Sequence, residues 1–222
     1  LQRFEHRSRR LEAEVSLEAN PGEFVALVGP SGCGKSTTLR LLLGFEAPER
    51  GKVLYDGQDL ADLDVDAVRR QIGVVLQTSR VRSNSIFENI AAGAVLPMEE
   101  AWEAAQKAAF DEDIRNMPMG MHTVVSEGGT NLSGGQRQRL LIARALAKKP
   151  RLLLFDEATS ALDNRSQSIV THSLAEARVT RVVVAHRPST IRGADRIYVL
   201  EKGRVVQTGS FEELARVPGA FQ

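Results

Sequence analysis

The sequence holds a single cysteine, Cys33, among 222 residues. An internal disulfide is therefore excluded, and a reducing compartment fits. No apolar run approaches the roughly 20 residues that a bilayer-spanning helix needs. The best candidate, Leu152 to Phe155 with Leu146 upstream, is broken by Lys148, Lys149 and Arg151. The charged start has no apolar stretch behind it, so no signal peptide is visible. Charge of one sign is not in excess, the net value being +1, and composition gives no reason to expect nucleic acid as a partner. Internal repeats and low-complexity tracts are lacking too. These absences predict a cytoplasmic globular segment. It begins at Leu1, without Met and mid-pattern, as a piece of a longer chain would. The absence of spans says nothing about what precedes it.

What is present reads as an α/β protein. The apolar share of 42% and charged share of 26% are ordinary for a globular chain, and the length allows a sizeable core in one or two domains. Short apolar runs alternate with helical stretches, which predicts a largely parallel sheet. Strands are expected at Phe24–Val28, Val53–Tyr55, Val74–Leu76, Leu152–Phe155, Val182–Ala185 and Ile197–Leu200. The Lys202-Gly203 turn then leads into Val205-Val206 as a final hairpin. From about Phe87 to Asn131 the pattern is helical (Trp102, Ala105, Ala109). This predicts a helical insertion of about 40–45 residues into the sheet-containing core.

Gly29-Pro30-Ser31-Gly32-Cys33-Gly34-Lys35-Ser36 fits G-x-x-x-x-G-K-S/T, after an expected strand and before an expected helix. Glycines let the backbone curl so that N–H groups converge on phosphate oxygens, and the helix N-terminus adds partial positive charge. Lys35 is expected to reach the β- and γ-phosphates and Ser36 to coordinate Mg²⁺. A glycine-rich turn with no ligand is the bland alternative, and the match of every fixed position in the right context argues against it. Cys33 occupies a variable position and reads as a small filler.

Asp156-Glu157 ends the apolar run Leu152 to Phe155. A buried parallel strand would thus deliver two carboxylates at its carboxyl end, where ligands bind in open α/β sheets. Asp156 fits the Mg²⁺-supporting Walker B position, and Glu157 is placed to polarise an attacking water. An acidic helix cap is the competing reading. Upstream, Leu132-Ser133-Gly134-Gly135-Gln136 opens another helical run. Ser133 can cap it, and the two glycines leave N–H groups accessible as a second anion site.

With this motif the sequence resembles the nucleotide-binding domains of ABC transporters, whose signature is LSGGQ. The resemblance covers nearly the whole chain, and its motifs stand in the family's order. They are the phosphate loop at 29–37, Gln77, the signature at 132–136, Asp156-Glu157, Ser160-Ala161-Leu162-Asp163, and His186. It implies a P-loop NTPase core with a mostly parallel sheet, an antiparallel β part and an inserted α-helical subdomain. The core would take about 1–86 and 132–222, the helical subdomain about 87–131. ATP and Mg²⁺ are the implied cofactors. Pro30, Ser31 and Thr37 would line the phosphates with the other loop residues. Ser36, Gln77 and Asp156 would serve the metal. Glu157, His186, Gln77 and Lys35 would be catalytic, with His186 at the γ-phosphate. Ser133, Gly134, Gly135 and Gln136 would hold ATP bound to a second copy or a homologous domain, and Asp163 would couple the two sites.

Thr123 to Gly129 resembles the segment of exporters that touches the membrane domain's cytoplasmic helices. Asp56 to Leu60 and Ser85 to Ile90 are also exporter-like, and the likeness extends to domains fused to bacterial peptide or bacteriocin exporters. The implied machine exports a substrate by ATP-driven dimerisation. It would work at the cytoplasmic face of the inner membrane, with a membrane domain fused N-terminally. Departures exist. Family spacing puts the adenine-stacking residue at Phe4, or at His6 for a shorter loop, where the family's usual residue is Tyr. Residues 78–84 lack the aspartate that often follows Gln77, and Pro188 after His186-Arg187 is unusual. Arg3, Arg7, Arg9 and Arg10 read as a solvated charge run. The rival reading is a soluble ABC-type ATPase of assembly, translation or DNA maintenance. Against it stand a single cassette and no sustained heptads between the motifs.

Overall fold

A computed structural model describes residues 15–221. Phe4, His6 and the arginine run lie outside the described residues. β1 (Phe24–Val28) is buried on both faces and leads through residues 29–34 into α1 (Lys35–Leu42). β2 (Leu54–Tyr55) and β3 (Gln58–Asp59) form a two-stranded hairpin. Its turn, Asp56 and Gly57, has φ of 50° and 80°, the left-handed pair that suits a tight hairpin. After α2 (Val65–Arg70) comes β4 (Ile72–Val75).

The stretch that follows is helical. α3 (Ile86–Ala91), α4 (Met98–Lys107) and α5 (Asp111–Arg115) precede two 3-10 turns, Gly120–His122 and Glu127–Gly129. A lone antiparallel bridge joins Ser85 to Val124 at the neck of this segment. The chain then enters α6 (Gly134–Leu146), β5 (Leu152–Asp156), α7 (Asn164–Glu176) and β6 (Thr180–Val184). It ends with α8 (Pro188–Arg192), β7 (Arg196–Glu201), β8 (Arg204–Gly209) and α9 (Phe211–Arg216).

The main sheet has the order β4-β5-β6-β1-β7-β8. All neighbours are parallel except β7 and β8. Side chains alternate between two apolar layers, as a strand's period of two demands. Phe24, Ala26, Val28, Leu153, Phe155, Val183, Ile197 and Val199 face the layer shared with the helical segment and α6. Val25, Leu27, Leu154, Val182, Val184, Tyr198 and Leu200 face the layer closed by Leu39 and Leu43 of the α1 region. Both faces are covered, so the strands read as continuous apolar runs. Gly73 is needed where α6 crosses β4, because a Cβ there would lie 2.4 Å from the Ala145 carbonyl oxygen. Among the described residues no helix is long and apolar enough to cross a membrane.

Candidate active site

The sheet order collects the chemistry. β1, β6, β5 and β4 are consecutive and parallel, so their carboxyl ends open on one side. From β1 comes the glycine-rich loop, from β6 His186, from β5 Asp156 and Glu157, and from β4 Gln77. Residues spread over 158 positions of sequence thus meet at one edge, for the topological reason that places ligands at strand ends in such sheets.

The loop is shaped for an anion. Gly29 has φ 145°, and a Cβ on it would fall 2.1 Å from the Leu200 carbonyl oxygen. The β7–β8 turn packs on the loop, with Gly203 N–H donating to the Cys33 carbonyl at 3.1 Å. Cys33 is buried as a filler, as expected. Lys35 is buried as well, and its ammonium donates to the carbonyl oxygens of Gly29 (2.7 Å) and Pro30 (2.9 Å), with the Cys33 Sγ at 3.7 Å. A buried cation whose hydrogen-bond partners are neutral makes the loop an electropositive cradle. Ser36 lies exposed on the first turn of α1, with Thr37 half-buried beside it.

Asp156 is buried at the end of β5 and Glu157 is partly exposed. His186 Nε2 lies 3.0 Å from Oε1 of the Glu157 carboxylate. Glu157 has φ 55°, a left-handed conformation that costs a non-glycine residue about 1–2 kcal/mol. Its backbone is tied on both sides. The N–H donates to the Val184 carbonyl at 3.3 Å, and the carbonyl accepts from Ser160 N–H at 3.0 Å. Gln77 is exposed just past β4.

Ser133 caps α6. Its hydroxyl accepts from Gln136 N–H, and the Gln136 side chain accepts from Ser133 N–H, completing a capping box. Ser133 and Gly134 remain exposed. The Gln136 side chain is also engaged inside its own chain, donating to Asp113 at 2.9 Å. What this motif presents outward is therefore backbone N–H and the serine hydroxyl. Asp163 is the N-cap of α7, accepting from the N–H and hydroxyl of Ser166, both at 2.9 Å. Those bonds, aided by Arg139 at 3.6 Å, hold its carboxyl below the usual carboxylate range.

Several residues that matter here have no motif to announce them. Arg139 donates to Asp113 at 2.8 Å and so ties α6 to α5. Arg187 donates to the Ser160 and Leu162 carbonyls. Buried Asn89 holds the loop after Gln77, bonding both backbone groups of Arg82 and the carbonyls of Asn84 and Ser85. Arg144 of α6 braces that loop by donating to the carbonyls of Asn89 and Arg80. Beside it runs a groove of about 630 Å³ lined by Arg80, Val81, Arg82, Ser83, Glu127 and Gly128.

The sequence profile of the ABC transporter family matches residues 13–160. The chain belongs to this family. Its relatives include the leukotoxin export ATP-binding protein of Aggregatibacter actinomycetemcomitans, 45% identical over 96% of this chain and 31% of that protein. The leukotoxin translocation ATP-binding protein of Mannheimia haemolytica is 49% identical over 90% of this chain and 29% of its own length. The alpha-hemolysin translocation ATP-binding protein of Proteus vulgaris is 45% identical over 92% and 29%. A solved bacterial Atm1-family ABC exporter with ATP bound superposes with a TM-score of 0.91 at 43% identity, over 96% of this chain and 38% of that one. The chain thus spans 29–31% of the length of the three toxin-export relatives and 38% of the exporter chain, and corresponds to the family's ATP-binding domain. The expected α/β fold, with its mostly parallel sheet, antiparallel strands and helices, is the one found.

Proposed function

We propose that this domain hydrolyses ATP and that the hydrolysis powers export of a substrate across a membrane. The observation that carries the reading is the convergence, at four adjacent strand ends, of a cationic glycine loop with the closely apposed Glu157 and His186 side chains. Residues 29–37 would surround the phosphates, with Lys35 bridging the β- and γ-groups. Glu157 would accept a hydrogen bond from the attacking water and draw off its proton as the bond from γ-phosphorus to the bridging oxygen breaks. His186 would steady the γ-phosphate, and Gln77 would align the water. Catalysis is then mainly positioning and electrostatic stabilisation.

The donor set suits Mg²⁺. Among the described residues no cluster of three or more His, Cys, Asp or Glu side chains could hold a metal. A hard cation that completes its shell with water and substrate phosphates needs only one or two protein ligands. Ser36, Asp156 and Gln77 would supply them, and the cation would neutralise phosphate charge.

Two copies, or this domain and a homologous one, would pair head to tail. Ser133, Gly134, Gly135 and Gln136 of one would then close on the nucleotide of the other, with Asp163 at the seam. Residues 1–222 would act as a single domain, its core at about 1–86 and 132–222 and its helical subdomain at about 87–131. The groove at Arg80 and Glu127 would receive cytoplasmic helices of a membrane domain, which would be fused N-terminally; the relatives' greater length leaves room for such a domain. The relatives' names point to exported toxins; this domain would serve export of a toxin or peptide, working at the cytoplasmic face of a bacterial membrane. Replacing Glu157 by Gln tests the reading. Phosphate release should fall at least about 100-fold while ATP affinity is retained; full hydrolysis by the variant would refute the assignment.

A further inference from the structure

We propose that Gln138 is a positioning residue that fastens the backbone of Glu157 to the signature helix α6. The proposal rests on the role of Glu157 given above. Both ends of the Gln138 amide are used. Its Nε2 donates to the Glu157 carbonyl at 3.0 Å and lies 3.4 Å from the Ser160 hydroxyl. Its Oε1 accepts from the Ala161 N–H at 2.7 Å. One planar group, carrying a donor and an acceptor, thus closes the turn that follows β5 at both of its ends.

The turn needs such a clasp. Glu157 is a non-glycine residue with φ 55°, and the direction of its carboxylate depends on keeping that conformation. Rotation of its peptide toward an ordinary strand geometry would pull its carbonyl away from Gln138. On the other side the turn is already pinned, since Arg187 donates to the Ser160 carbonyl at 2.6 Å and to the Leu162 carbonyl at 3.2 Å. With the Arg187 side fixed, the adjustable side is Gln138. It stands four residues beyond Gly134, one turn further along α6. A displacement of the α6 N-terminus, the end that would meet the partner's nucleotide, is therefore transmitted through a single side chain to the carbonyl of the chain's own Glu157.

The test compares Gln138→Ala, Gln138→Met and Gln138→Glu. The methionine keeps length and packing should alanine fail to fold, and thermal unfolding checks each variant. Glutamate can accept from Ala161 N–H but cannot donate to the Glu157 carbonyl. All three are expected to bind ATP within about twofold of the parent while kcat falls about 10- to 100-fold, as a misplaced reacting group predicts. In single-turnover assays Gln138→Met combined with Glu157→Gln should be no slower than Glu157→Gln alone, because both act on one carboxylate. Parental kcat in Gln138→Met, or full additivity with Glu157→Gln, would overturn the proposal and leave the role of Glu157 standing. Parental turnover by Glu157→Gln alone would overturn both.

Discussion

Lys35 makes plain what a single residue contributes. Its ammonium is buried against carbonyl oxygens of its own loop, so its charge has no compensating carboxylate among those bonds. Charge-assisted bonds to phosphate contribute about 1.5–3 kcal/mol each. Lys35→Ala should therefore weaken ATP binding by about 10- to 100-fold, measured by isothermal titration. Unchanged affinity would mean that the loop backbone alone holds the phosphates. At this scale the sequence was informative wherever chemistry depends on near neighbours in the chain. The glycine loop, Asp156-Glu157 and Ser133-Gly134-Gly135-Gln136 are each read from contiguous residues. Gln138 was not legible in the same way, for its partner Glu157 lies 19 positions away. Arg144 and Asn89 are separated by 55. No local pattern encodes a contact that the fold creates.

Among the elements, helix ends decide much of the local order. α3, α6 and α9 each begin with a capping box, and α7 with the Asp163 cap. At α3, Glu88 accepts from the hydroxyl and then the backbone of Ser85; at α9, Glu213 accepts from the backbone and then the hydroxyl of Ser210. These bonds favour the ionised form, so both carboxyls titrate below their ordinary 4.5 in the folded chain. A depressed folded value gives stability that is present above the unfolded value and lost as pH falls through the folded one. Urea unfolding should thus show a constant midpoint near neutrality and a decline once pH drops below 4.5. Glu88→Gln with Glu213→Gln should flatten part of that decline. Identical profiles for parent and variant would show that the capping carboxyls do not govern acid stability. Ser133 was legible as a cap from the sequence. That the Gln136 side chain turns inward to Asp113 was not, because Asp113 belongs to α5 and reaches α6 only through tertiary packing.

At the scale of the whole molecule, glycine-rich turns stand before α1 and before α6, and under the proposed function one nucleotide would meet both only if a second copy supplies the other. Static light scattering of Glu157→Gln should report a monomer without nucleotide and a dimer with ATP and Mg²⁺. A monomer under both conditions would remove head-to-tail pairing from the proposed cycle. The groove between residues 80–83 and 127–128 lies beside the Asn89–Arg144 brace, so a partner seated there would press on the same helix that carries the signature.

By itself the sequence determined the fold class, the place of the glycine loop before α1 and the order of the motifs, since strand period, glycine placement and helix caps are properties of neighbouring residues. Tertiary structure alone decided that His186 meets Glu157, that Gln138 and Arg187 grip the intervening turn, and that Asn89 anchors to α6. Those contacts exist because parallel strands place distant segments side by side, and a one-dimensional pattern carries no record of which strand ends become neighbours.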